Sequence, residues 1–390
     1  MKILAVVPYF YPAWAYGGPA KLVYDSSMYL AKKGHSVCVL TSDAYDATQR
    51  MPKSKYLSTT PNLVVRYFRN IHNTLAYRFN IFFTPGFFFK APLDILKADI
   101  VHMHDFYTPQ NAWTALICTL FSKPYILSVH GCLESARMEQ RSLFKRLYLL
   151  LFGRFMLLHA AAVIATSENE VLAYRSYGVP DEKILRLKHG VDPAEFATKV
   201  TKSAARKKLK LPPKAIIVTF LGRIHAIKGL DLLVSAIAQL KTKNVHFVIA
   251  GSDDGYKAEL LVDIARQKVS DKITLLGTCF GAEKAQLYAA SDMFVYPSHS
   301  EGFSLGILEA AAAGLPLILT TGCHFDEVAA VGAGSIVPPD SKKLAATIAL
   351  YAKSAGKRTA AGKNARKLIT QKYSMSIVYD SLLALYQHHV

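Results

Sequence analysis

Short apolar runs, each closed by a turn and followed by a longer segment with helical spacing, recur along the chain. "KILAVVP" (2–8) comes first, and "GGPAKLVYDSSMYLAKKG" (17–34) then predicts a helix with Pro19 in its first turn and Gly34 just past its end. "SVCVLT" (36–41), "DIVHMHD" (99–105), "YILSVHG" (125–131) and "AVIATS" (162–167) predict further strands. Helical or loop segments separate them, which is the βαβ rhythm of a parallel sheet. After "KILRLKHGVDP" (183–193) and the polar stretch "ATKVTKSAARKKLKLPPK", the alternation starts afresh with "AIIVTFLG", "VHFVIAG", "ITLLG", "MFVYPS", "LPLILT" and "GSIVPP". Two α/β alternations predict two Rossmann-like domains, 1–190 and 191–370, with a site in the cleft between their carboxyl-end rims. The last twenty residues, 371–390, predict one amphipathic helix, which the pattern alone reads as a cap on the second domain.

Composition narrows the partner classes. A chain of 390 residues with 51% hydrophobic and 19% charged residues is globular and too long for one ordinary core. Its 47 Lys and Arg against 28 Asp and Glu leave a net charge of +19, which suits a polyanion or an anionic surface. No zinc finger, RNP pattern or basic arm appears, so nucleic acid is not the expected partner. Five scattered cysteines favour a reducing compartment over a disulfide framework or a zinc site. The N-terminus reads as a first strand and not as a signal peptide, and no stretch reaches the roughly 18 apolar residues of a membrane span. A cytoplasmic location follows as the expectation.

Three segments carry candidate chemistry. "YGGPAK" lies between the first strand and the first helix, where Gly17 and Gly18 leave backbone N–H groups for an anion at a helix N-terminus, although Gly-Gly-Pro also serves as a plain turn. It lacks the third glycine and acidic partner of the dinucleotide fingerprint. In "FLGRIHAIKGLDLLVSAI", Arg223 and Lys228 follow a strand end and suit a diphosphate, Arg as a planar fork and Lys as a point charge. The bland alternative is a solvated loop in a lysine-rich protein. "SEGFSLGILEAAAAGLPLILT" holds only two charges, Glu301 in a loop and Glu309 about two turns later, in the helix that follows. Carboxylates there would accept from neutral hydroxyls, which sugars present in number, and the backbone N–H groups of Phe303, Ser304 and Leu305 would remain for an anion. Helix caps or partners of Arg and Lys are the alternative for these glutamates.

With "FLGRIHAIKG" ahead of it, "EGFSLGILEAAAAGLPLILT" resembles the retaining glycosyltransferases of family 4, which have the GT-B fold. The resemblance extends through "YFYPAWAYGG", "VHMHDFYTP", "SVHGCLE", "AAVIATSENE" and "KHGVDPAEF". It implies that Glu301 faces the donor sugar, Glu309 the nucleotide ribose, and Arg223 and Lys228 the donor diphosphate. It also implies that Gly17 and Gly18 form the glycine turn, and that His130 reaches the donor sugar near the reacting carbon. The loop "LGTCF", with Cys279, would meet the base through its backbone. The final helix would return to the N-terminal domain, displacing the reading as a second-domain cap. Three positions depart from the family pattern: His189 stands for Asn in "NGVD", Met375 for the Trp of the last helix, and His324 for Asn in "GCHFDEV".

His102 and His104 share one face of a strand, with Asp105 next. A metal would need a third ligand that the sequence does not supply, so no metal is expected, and acceptor binding or a structural role remains. "RMEQRSLFKRLYLLLFGRFMLLH" (137–159) sets Arg137, Arg141 and Lys145 on one helical stripe and Leu143, Leu147, Leu151 and Phe155 on another. With the Phe-rich "YRFNIFFTPGFFFKAP" (77–92) and Lys90, it suits an anionic membrane or lipid-linked acceptor, the alternative being ordinary core. The expected activity is retaining transfer of a hexose from a UDP- or GDP-linked sugar to a glycan or polyprenyl-diphosphate-linked hydroxyl. Cell-surface polysaccharide synthesis, peripheral on the inner face of the membrane, is the expected setting. A nucleotide-sugar epimerase or hydrolase and a non-catalytic nucleotide-sugar-binding scaffold are the competing readings.

Overall fold

A computed structural model describes the chain except for residues 14, 15, 17, 54–60, 80, 134–141, 198, 199 and 303. It divides into two compact units, Met1–Gly190 with Met375–Val390, and Val191–Ser374.

The first unit is built on a seven-stranded sheet in the order β3-β2-β1-β4-β5-β6-β7. The strands are β1 (Lys2–Val6), β2 (Ser36–Ser42), β3 (Leu63–Phe68), β4 (Ile100–His104), β5 (Tyr125–Ser128), β6 (Ala162–Ala165) and β7 (Ile184–Arg186). All pairings are parallel. Period-two alternation splits β1 between two layers: Leu4 and Val6 face one apolar cluster, Ile3 and Ala5 another. Helices Pro85–Lys97 and Pro109–Leu120 close the first layer, burying Phe87, Ala91, Ala115 and Ile117. Helices Gly18–Lys32 and Met375–His388 close the second, through Val23 and Leu30 from one and Val378, Tyr379, Leu382 and Tyr386 from the other. The strand order reverses between β1 and β4, so their carboxyl ends open the crevice where doubly wound sheets bind ligands.

The segment 137–159 is not one uniform helix. Ser142–Tyr148 is α-helical, Leu149–Gly153 widens into a π-turn, and Arg154–His159 resumes the α-helix. Of the predicted apolar row, Leu143, Leu147 and Leu151 are all exposed and Phe155 is half-buried. Leu149, Met156 and Leu157 are buried, whereas Leu143 and Leu150 are about four-fifths exposed at 82% and 80%. Arg137 and Arg141 lie outside the described residues.

The second unit holds a six-stranded parallel sheet in the order β10-β9-β8-β11-β12-β13. These are β8 (Ile216–Leu221), β9 (Val245–Ala250), β10 (Ile273–Leu276), β11 (Met293–Tyr296), β12 (Leu317–Thr320) and β13 (Gly334–Val337). Its reversal falls between β8 and β11. Asp292 fixes that junction from the amino-terminal side: its carboxylate accepts from Ile217 N at 2.7 Å, buried Arg206 at 2.5 Å and Lys202 at 2.8 Å. The expected final helix is shorter than 371–390. Residues Ile369–Tyr373 continue the preceding helix as a π-turn, Ser374 is extended, and the last helix begins at Met375.

Candidate active site

Each reversal point carries a set of the residues singled out above. In the second unit, β8 leads into Arg223 and a 3₁₀ turn, Ala226–Lys228, whose cap Gly229 takes φ 66° before helix Leu230–Gln239. Two bonds strap this turn to the loop after β11: His299 N donates to Ile227 O at 2.8 Å, and Ser298 Oγ to the same oxygen at 2.9 Å. Glu301 N in turn donates to Gly322 O at 2.8 Å, after β12. These links bring Lys228 and Glu301 into an ion pair whose side chains are only 9% and 10% exposed. Ser298 Oγ also lies 3.2 Å from Glu301 Oε1, and Lys228 Nζ lies 5.7 Å from the centre of the Tyr296 ring. Arg223, more exposed, pairs with Asp254 from the loop after β9.

The left-handed conformation at Gly229 is what lets the turn close, because a Cβ there would strike the carbonyl of Pro297. Gly229→Ala is therefore expected to cost at least about 2 kcal/mol in urea unfolding. Gly255→Ala is the control: φ is 87° but nothing lies within 4 Å of its Cβ position, so only the backbone cost of about 1 kcal/mol remains. Equal losses in the two variants would contradict the close approach to Pro297.

Glu309 sits on helix Leu305–Ala312 and is 1% exposed. Its carboxylate accepts from Lys284 Nζ at 2.7 Å and from Tyr288 Oη at 3.1 Å. Burial, and then the Glu309 charge, push the Tyr288 phenol well above its ordinary value, so it stays a donor. Lys284 and Tyr288 lie one helical turn apart on Gly281–Ala290, and sequence reading passed over both. Their four-residue spacing was the available signal. Cys279 is half-buried in the loop after β10, and burial followed by the nearby Glu283 raises its thiol. Ser304 caps the helix bearing Glu309 and Leu305 opens it; Phe303 lies outside the described residues. His324 takes φ 48° at the end of the turn Thr321–Cys323, a left-handed position that Asn also adopts readily, which accounts for the exchange.

In the first unit, the carboxyl ends of β4 and β5 gather histidines. Parallel register sets His102 opposite Ile126 and His104 opposite Ser128, and His130 follows at φ 52°. His102 Nδ1 meets Tyr386 Oη at 2.6 Å and its Nε2 meets Ser128 Oγ at 2.8 Å. His104 Nδ1 lies 3.2 Å from His130 Nε2. The His189 ring centre is 5.8 Å from that of His130, so the departure from Asn adds a fourth imidazole to the group. Burial, reinforced by the neighbouring rings, lowers His102 to about 3 and His104 well below the ordinary imidazole value. A cavity of about 40 Å³ lies among them, bounded also by Ser26, Thr166 and Leu382. Buried Glu170 holds the His130 loop by accepting from Gly131 N, and from Thr166 N at 2.6 Å. Gly18 opens helix Gly18–Lys32, while Gly17 lies outside the described residues. Among the described residues no group of three or more His, Cys, Asp or Glu side chains is arranged to hold a metal ion.

Two parallel-sheet lobes of this kind are those of the GT-B class, and the chain belongs to that glycosyltransferase family, whose members draw on a nucleotide-sugar donor. Residues 16–195 match the model of Glycosyltransferase Family 4, and residues 201–368 that of Glycosyl transferases group 1. Among curated relatives, a D-inositol 3-phosphate glycosyltransferase of Stackebrandtia nassauensis is 32% identical over 238 residues, covering 56% of this chain and 52% of that one. The match thus spans about half of that relative's length. An uncharacterized glycosyltransferase of Methanocaldococcus jannaschii is 26% identical over 412 residues, 99% of this chain and 98% of the relative. Among solved structures, Anabaena HepE in complex with UDP and glucose superposes with a TM-score of 0.79 at 21% identity, covering 100% of both chains; at that identity the likeness is one of fold.

Proposed function

We propose that this chain is a retaining hexosyltransferase using a UDP- or GDP-linked sugar and a hydroxyl of a glycan or polyprenyl-diphosphate-linked acceptor, in cell-surface polysaccharide synthesis. The observation that carries the reading is the meeting of Lys228 with Glu301, and of Arg223 with Asp254, at the reversal point of the second sheet. Cations held beside carboxylates in a half-buried rim are ready to exchange those partners for a diphosphate. Arg223 and Lys228 then stabilise the leaving diphosphate as the anomeric C–O bond breaks. The acceptor oxygen forms the new bond on the same face, and its proton passes to the departing phosphate oxygen. Glu301, freed from Lys228, orients the donor sugar through its hydroxyls, and His130 contacts the same sugar. Glu309, held rigid by Lys284 and Tyr288, has lone pairs left for the ribose hydroxyls. The loop with Cys279 takes the base, and Ser304 and Leu305 offer backbone donors to the phosphates; the parts expected of Phe303, Gly17 and Gly18 in donor binding rest on the sequence resemblance.

A thermal-shift screen of nucleoside diphosphates tests the donor assignment. A ligand at 100 times its Kd adds about 2.7 kcal/mol of apparent stability. UDP or GDP should raise Tm well above the other nucleotides, and no shift from either would overturn the reading.

The membrane contact belongs to the same proposal. Leu143, Leu147, Leu150 and Leu151 stand out from the 142–153 segment, and Phe89 and Leu93 from helix Pro85–Lys97. Exposed Lys90, Arg146 and Arg154 lie on the same segments. Among the described residues no helix is long and apolar enough to cross a membrane. A peripheral seat on the anionic inner face of the cell membrane fits apolar side chains ringed by cations. Arg146→Glu with Arg154→Glu is expected to weaken sedimentation with anionic vesicles at least about tenfold, at about 1 kcal/mol per basic residue, while turnover on a soluble acceptor persists. Unchanged vesicle binding would remove the membrane from the account.

A further inference from the structure

The His104–His130 contact carries an inference about how the site is set, resting on the reading that His130 meets the donor sugar. The two rings are nearly parallel, 9° apart, with centres 5.5 Å apart and His104 Nδ1 3.2 Å from His130 Nε2. Neutral imidazoles in such a contact share one hydrogen, so one nitrogen donates and the other accepts. Whichever direction holds, the tautomer of one ring dictates that of the other. His104 is well placed to dictate. Its main chain is pinned by buried Asn111, whose amide donates to His104 O at 2.9 Å and to Asp105 O at 3.1 Å. Its ring packs at 4.0 Å on His102, itself held at both nitrogens by Tyr386 and Ser128. Charging His104 is opposed by its burial and by the rings of His102, His130 and His189 around it. A fixed neutral ring on a fixed strand is a template for its neighbour.

We propose that His104 is a positioning residue for His130: through the Nδ1–Nε2 hydrogen bond it sets the ring plane and tautomer of His130, and so decides whether His130 offers a donor or an acceptor at Nδ1. Because Tyr386 anchors His102 from the returning C-terminal helix, that helix contributes to the same template.

The test reads the tautomer directly. In protein labelled with ¹⁵N-histidine, with signals assigned by comparison with His130→Gln, the His130 ring nitrogens should show one protonated and one bare nitrogen at neutral pH. His104→Leu, which keeps apolar bulk but no hydrogen bond, should leave them averaging between tautomers. It should also lower kcat by about 10- to 100-fold, the range by which metal-bound histidines suffer on losing an orienting partner, with UDP and GDP affinity unchanged. His104→Asn, whose amide can donate or accept where Nδ1 stood, should restore kcat to within about threefold. Averaged His130 nitrogens in the wild type, unchanged nitrogens in His104→Leu, or equal turnover in the Leu and Asn variants would each overturn the proposal. If His104→Leu does not fold, the wild-type and Asn spectra still decide it. Wild-type turnover in His130→Ala would instead count against the sugar contact of His130, and the tautomer signals would still report on His104.

Discussion

Glu301→Gln is expected to lower kcat by two to three orders of magnitude while the Kd for the nucleoside diphosphate stays within about threefold. The substitution is isosteric, and the amide can still meet Ser298 Oγ, which lies 3.2 Å from Glu301 Oε1. What disappears is the charge that, in the proposed reaction, would accept from donor-sugar hydroxyls and face the positive charge that grows at the anomeric carbon. Diphosphate affinity is spared because Lys228 loses its competing carboxylate partner and keeps its place beside the Tyr296 ring. Glu309→Ala should behave in the opposite way. It weakens nucleotide binding itself and strands Lys284, while Tyr288 falls back on Gly306 O at 3.3 Å. Isothermal titration with UDP and GDP, paired with steady-state rates, separates the two. A Gln variant at wild-type kcat would remove Glu301 from the reaction.

Mild acid is expected to weaken the first unit by about 3 kcal/mol between pH 7.5 and 5.5. His102 and His104 are buried, and both have folded-state values depressed far below the unfolded value of about 6.5. Below that value the unfolded chain binds protons that the folded unit refuses, so stability is fully present above about pH 6.5 and is lost as pH falls toward 3. Each such group contributes about 1.4 kcal/mol per pH unit in that window. His189, lowered by burial and by His130 but partly exposed, adds a smaller amount. In the second unit His246 is lowered by burial but half-exposed, so its dependence should be shallower. Trp113 belongs to the first unit, and the other tryptophan of the chain, Trp14, falls within the same 1–190 stretch of sequence, so tryptophan fluorescence during urea unfolding is the readout. His102→Gln should flatten the pH dependence by about 1.4 kcal/mol per unit. A midpoint independent of pH would show that these rings are not held neutral.

The sheets were legible because the central strands are mostly apolar runs bounded by turn residues, even where β4 carries His102 and His104. β3 was missed for the complementary reason: at the sheet edge its burial alternates, and "LVVRYF" places Arg66 in the middle, paired with Asp94. The Phe-rich stretch before residue 92 caught attention as an aromatic cluster, yet it opens helix Pro85–Lys97, which runs through Pro92. Pattern reading ends a helix at such a proline. The π-turn at 149–153 rotates the apolar face by a fraction of a turn, which no strict four-residue spacing can anticipate.

The site was legible where chemistry and punctuation coincide. Arg223, Lys228 and Glu301 each follow a strand end, and the strand order then brings those ends together. Partners from other elements were not legible: Asp254 on Arg223, and Lys284 and Tyr288 on Glu309, depend on which helix or loop packs beside which strand. His102 and His104 were seen as one face of a strand. Their meeting with His130 follows only once β4 and β5 are neighbours in the register that sets His104 opposite Ser128.

The most direct test of the account is an NMR time course of the protein with α-linked UDP- and GDP-sugars and a panel of alkyl glycosides and polyprenyl-diphosphate glycans. One donor should give a new α-glycosidic signal and one free nucleoside diphosphate per bond formed, and Glu301→Gln should slow both by two to three orders of magnitude at unchanged diphosphate affinity. A folded protein that turns over no donor in the panel, or a product of inverted β-configuration, would contradict it.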